Sequence, residues 1–176
     1  QLYSDANHVL VDIPIGLPEA DRRACDREAK ARLDERSSSV FWTPCRRAVY
    51  AGSYEAAATA NEQYLGRGLS SQSWGLIPRI REVDMLLQQD DDARDRVRES
   101  HPEVAFRMLN GDDAVTGSKQ TEAGRDERIE ILDDALSNTD VRRAYEQIEA
   151  TYIDDLDPWQ RRIGASNRDD LVDAFG

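Results

Sequence analysis

Four carboxylates in this chain stand where hydrolysis of a phosphodiester could use them. Asp12 interrupts the apolar run at residues 9–15, formed by Val9, Leu10, Val11, Ile13 and Ile15. Such a run, rich in β-branched residues, predicts a strand buried on both faces. A lone carboxylate inside it is costly unless it is paired or holds a metal. Glu99 lies in a second, more polar stretch at 96–102 that also reads as a strand. Asp170 and Asp173 fall at i and i+3 on a terminal helix opened by Asn167, and so share a face. Mg²⁺ and Mn²⁺ are hard cations that take carboxylate oxygens. Two such ions clamp the attacking and leaving oxygens of an in-line displacement. Acids from two strand ends and one helix would build that clamp. The alternative for Asp12 is structural, a carboxylate capping the turn that follows it.

The elements that must position these acids can be read from punctuation and periodicity. Pro14 cannot donate to a ladder, so regular pairing fails there. Gly16, Leu17 and Pro18 then turn the chain away. Asp12 therefore sits near the C-terminal end of its strand, where open α/β sheets place their ligands. Residues 19–36 read as a helix with Asp21 as its cap, and with Arg23, Asp26, Arg27 and Arg36 on or beside it. An irregular apolar loop follows at 37–44, then a helix at 48–64. The glycine-containing loop at 66–72 lacks the GK[ST] of a phosphate-binding P-loop. Residues 73–87 are helical, and Asp90 to Asp92 form a solvated loop or a helix start. Pro102 opens a further helix that Gly111 ends. Residues 121–136 and 140–152 complete the helical pattern, and Pro158, Trp159 and Gly164 punctuate a loop.

The bulk numbers restrict the partners. Acids outnumber bases, 35 against 23, which gives a net charge of -12 and an isoelectric point of about 4.6. Lys30 and Lys119 are the only lysines. Excess carboxylate with few lysines is the composition of a protein kept soluble in strong salt, where the Debye length is only about 3 Å at 1 M. The reading is a cytoplasmic protein of a halophile. No apolar run is long enough for a bilayer, so no membrane partner is expected. An acidic surface argues against long nucleic acid, although salt adaptation weakens that argument. Cys25 and Cys45 lie far apart, with no CxxC, and His8 and His101 are the only histidines, which argues against a structural zinc site. Both cysteines are expected to be reduced and to act as small apolar residues.

Seven segments together resemble the domain of unknown function 429 family. They are VDIPIGLP at 11–18, RACD at 23–26, RSSSVFWTP at 36–44, GLSSQSWGLIPRIREVD at 68–84, ESHPEVAF at 99–106, SKQTEAGRDER at 118–128 and DDLVDA at 169–174. The family is described as predicted nucleases with a ribonuclease-H-like fold. The resemblance implies a single α/β domain over 1–176, a mixed sheet with a helical insertion at 19–90 between two core strands. It makes Asp12 the carboxylate of the central strand and Glu99 the acid ending the next strand. Asp170 and Asp173 would match the acids that resolvase-type members of this fold carry on their last helix. Such folds also carry an Asp on a first strand, which has no match here, so N-terminal strands are expected to be missing ahead of Gln1. Arg36, Gln72, Trp74, Arg79 and Glu82 would line a helical lid over the site. Lys119, Arg125 and Arg128 would meet phosphates. Each of these also has a plain reading as an internal ion pair or a core aromatic.

Three functions follow as expectations. The first is an Mg²⁺- or Mn²⁺-dependent nuclease or phosphodiesterase whose metal is held by Asp12, Glu99, Asp170 and Asp173, with nucleic acid or a nucleotide as partner. The second is a non-catalytic protein that uses the helical insertion for protein contacts. The third is a phosphotransfer enzyme acting on a small molecule, which the lack of a basic patch interleaved with aromatics favours over the first. Oligomeric state is not legible.

Overall fold

The computed structural model describes residues 6–137, 139–154 and 167–175. The chain divides into two compact units, Gln1–His101 and Pro102–Gly176. It is a mixed α/β protein, mostly helical, and its described sheet has two strands.

In the first unit, β1 (Val9–Val11) pairs in parallel with β2 (Val97–Glu99). Val9 stands opposite Val97 and Val11 opposite Glu99. Five helices lie between the two strands in sequence: α1 (Ala24–Leu33), α2 (Arg46–Val49), α3 (Tyr54–Leu65), α4 (Ser71–Gln89) and α5 (Asp91–Arg96). A 3-10 turn over Asp34–Ser39 follows α1. β1 is shorter than the apolar run, because beyond Asp12 the chain leaves the ladder. Ile15 gives its amide to the Glu99 side chain, at 2.8 Å, instead of to a neighbouring strand. Nor is β1 buried on both faces: Leu10 is 59% exposed.

Local chemistry sets the helix boundaries. Ser53, Ser70 and Asp90 cap α3, α4 and α5, their side chains accepting from Ala56, Ser73 and Ala93 amides. The single helix expected at 48–64 is two helices, because Ser53 starts a new one. Asp21 is not a cap; α1 begins after Arg23, whose side chain is engaged elsewhere. Cys45, Ala48, Ala57, Leu69 and Ile77 form one core, with Trp74 packed against it. Buried Asp84 ties α4 to α2, accepting from Arg46 at 2.6 Å and from Tyr50 at 2.7 Å. Cys45 is buried, whereas Cys25 is exposed.

The second unit holds α6 (Pro102–Leu109), α7 (Glu122–Ala135), α8 (Val141–Glu149) and α9 (Arg168–Phe175). Phe106, Ile129, Leu132, Val141, Tyr145 and Val172 form its core. Thr121 and Asp140 cap α7 and α8. The loop before α7 runs against that helix so closely that a Cβ on Gly124 would lie 2.1 Å from the Ser118 carbonyl oxygen. The punctuating residues Pro158, Trp159 and Gly164 lie outside the described residues. No helix among the described residues is long and apolar enough to cross a membrane.

Candidate functional site

Parallel pairing places the C-terminal ends of β1 and β2 side by side. Glu99 ends β2, and Asp12 follows directly after Val11, its partner in register. Both acids line one cavity of about 160 Å³. Its other described walls come from Ile13 and Pro14 after β1, Arg23 and Asp26 at the start of α1, the segment Ser39 to Pro44, Ser73, Leu76 and Ile80 of α4, and His101 after β2.

A buried guanidinium organises this cavity. The Arg23 side chain is 8% exposed. Its Nη1 donates to Glu99 Oε2 at 2.6 Å and to the Ile15 carbonyl at 2.7 Å, and its Nη2 donates to Glu99 Oε1 at 2.8 Å. The same Nη2 donates to Asp26 Oδ1. Asp26, itself buried, also accepts from the Thr43 amide at 3.1 Å. Burial works against the Arg23 charge, but the hydrogen bonds and charges of Glu99 and Asp26 outweigh it and push its pKa up, far above any physiological pH. The forked geometry is the strong form of the carboxylate–guanidinium contact. Residues 76 positions apart in sequence are thereby locked together.

Two polar atoms here have no partner. Among the described residues of this unit, the buried side-chain nitrogens or oxygens without a hydrogen bond are Arg23 Nε and His101 Nδ1. Both residues line the cavity. His101 Nε2 lies 3.3 Å from the Ser39 carbonyl oxygen. A carbonyl only accepts, so Nε2 carries the hydrogen and the neutral ring keeps its lone pair on Nδ1. Unpaired buried polar atoms are rare, and these two belong to residues of the cavity wall.

The remaining acids are engaged within the second unit. Asp170 accepts from the Asn167 amide at 2.9 Å, the return contact that fixes the first turn of α9. Asp173 pairs with Lys119, and its Oδ1 is buried without a partner. Burial pushes the Asp173 carboxyl above its ordinary range, and Lys119 opposes that rise.

The expected substrate-binding residues fall into several settings. Gln72 is exposed near the start of α4 and lines a groove with Lys30 and Arg67. Arg79 is exposed on α4. Arg36 sits half-buried in the 3-10 turn. Trp74 meets Tyr54 edge to face at 5.8 Å and packs on the helical core. Arg125 donates to the Gln120 carbonyl at 3.1 Å. Arg128 is wholly buried; it donates to the Gly117 and Gly124 carbonyls, both at 2.9 Å, and to Glu103 at 3.0 Å. Its guanidinium holds the loop against α7 and does not face solvent. Arg23, Asp26, Thr43 and His101 join the site only in the folded chain. Arg23 and Asp26 stand in the RACD segment and His101 follows Glu99 closely, but nothing local shows that they share a cavity.

A family model for a protein of unknown function, DUF429, matches residues 1–175. No match was found among the curated proteins or among the solved structures. With the match running over almost the whole length, the chain belongs to the DUF429 family.

Proposed function

We propose that this chain is a divalent-metal-dependent phosphodiesterase of the nuclease kind, built on a ribonuclease-H-like scaffold and adapted to salt. The observation that supports this reading is the arrival of Asp12 and Glu99, from neighbouring parallel strand ends, at one cavity. Among the described residues, no group of three or more His, Cys, Asp or Glu side chains is placed to hold a metal. Mg²⁺, however, takes only one or two carboxylates when water and phosphate complete its shell. Glu99 keeps acceptor capacity, because Oε1 takes one hydrogen bond where Oε2 takes two, and its side chain is 31% exposed. Three acids and one arginine give the lining a formal charge of -2, which suits a divalent cation.

In this reading Asp12 and Glu99 hold the ion. When bound, it supplies positive charge to the phosphate and acidifies a water molecule. Arg23 keeps Glu99 in a fixed orientation, in which the carboxylate would help hold the ion. His101 takes a proton at Nδ1 while Ser39 fixes its tautomer. The cavity is smaller than the roughly 300 Å³ at which ligand pockets usually begin, so it admits one phosphate with its immediate substituents. Asp170 accepts from Asn167 and Asp173 pairs with Lys119 inside the second unit, and this reading places the ion on Asp12 and Glu99 alone.

The test is hydrolysis of bis(p-nitrophenyl) phosphate with Mn²⁺ in strong salt. Turnover by the wild type, lost with a chelator and in Asp12→Asn, is expected. No turnover by the wild type, or equal turnover in Asp12→Asn, overturns the reading.

A further inference from the structure

A second concavity shares a wall with the cavity just described. Val40, Phe41, Trp42 and Ser73 line both. The groove beyond that wall carries Lys30 and Arg67. In a chain where 35 of 176 residues are acidic, none of the described residues lining it is an Asp or Glu. Lys30 is also one of only two lysines in the chain. Its ammonium donates to the Ser37 carbonyl at 2.6 Å and lies 5.1 Å from the centre of a Trp42 ring. That carbonyl takes one of its three hydrogens. Burial, and after it the charge of Arg67, push the Lys30 pKa down, while Asp26 opposes the shift. Lys30 and Arg67 thus bring two positive charges to the lining of one groove. Glu62 stands at the edge of the groove, its Oε2 3.9 Å from where a Cβ on Gly68 would lie. Ser70, Gln72 and Ser73 also line the groove.

We infer that this groove is an anion subsite, in which Lys30 and Arg67 take a second phosphate of the substrate while the scissile phosphodiester sits across the Val40 to Trp42 wall. The assignment rests on the phosphodiesterase reading for the identity of its ligand. It makes the substrate a phosphate-bearing chain of at least two units, a nucleotide strand end or a dinucleotide. An isolated phosphodiester would fill only the cavity. A phosphate in this groove meets both positive charges and accepts charge-assisted hydrogen bonds from them.

The probe is a 5′-phosphorylated thymidine dinucleotide, titrated calorimetrically in the presence of a chelator. Without a metal there is no hydrolysis, so failure of the groove and failure of the metal reading are seen separately. Wild-type binding, weakened roughly tenfold or more in Arg67→Gln and further in Arg67→Glu, is expected for loss of a charged hydrogen bond. Arg67 is exposed, so these variants keep the fold; Lys30→Gln is the second variant, with melting temperature as its control. Binding that is absent in the wild type, or equal in all variants, overturns the subsite. Inorganic phosphate is the competing probe. Displacement only at much higher concentration supports a substrate subsite, whereas displacement at equal concentration marks a site for free phosphate and overturns the substrate assignment.

Discussion

His101 separates chemistry from folding better than any other side chain of the site. It is half-buried, one ring nitrogen makes a 3.3 Å hydrogen bond to a backbone carbonyl, and the other has no hydrogen-bond partner among the described residues. His101→Gln should therefore cost about 10²- to 10⁴-fold in kcat, the span usual for a general base, with little change in melting temperature. A parallel loss of stability and activity would make the imidazole structural. Arg23 behaves in the opposite way. Arg23→Met leaves Asp26 and Glu99 without their shared cation, and removing one partner of such a buried pair costs about 3–5 kcal/mol; chemical denaturation measures it. At this scale the strand-end positions of Asp12 and Glu99 are legible in the sequence, because a charge that interrupts or ends a strand is visible there. The partners of Glu99 are not. Arg23 lies 76 residues away, and only the parallel register brings the two together.

Helix starts show how far local chemistry reaches. Pro102 opens α6, and the polar run at Asp90 does begin a helix, since each local signal acts within one turn. The break between α2 and α3 is hidden, because the apolar spacing continues across Gly52 and Ser53 while the cap at Ser53 restarts the helix. β1 is shorter than its sequence pattern for a different reason: Ile15 gives its amide to a side chain, which no strand pattern reveals. The tightest fit between elements is invisible in the sequence. Gly117 and Gly124 lie so close that a Cβ on Gly117 would come within 2.7 Å of the Gly124 Cα, and one on Gly124 would strike the Ser118 carbonyl. The wholly buried Arg128 bonds both glycine carbonyls across this contact. Gly124→Ala should destabilise the protein by about 1–3 kcal/mol or more, the usual cost of overpacking, even though alanine favours helix. Unchanged thermal unfolding would show that the loop moves aside without cost.

Over the whole molecule, a net charge of -12 makes repulsion among surface acids the contribution to stability that salt changes most. Raising KCl from roughly 0.1 to 2 M shortens the Debye length several-fold and should raise the melting temperature; a flat or falling curve contradicts salt adaptation. The helices that lie between the two strands in sequence are legible in outline, because helical periodicity fills that stretch. The division into two compact units is not, since no linker composition marks the step at His101 and Pro102. Whether Asp12 and Glu99 hold a divalent ion at the strand ends is tested most directly by the melting temperature as a function of Mn²⁺. A rise with Mn²⁺ that saturates in the wild type and disappears in Asp12→Asn is predicted. No rise in the wild type, or the same rise in Asp12→Asn, would contradict it.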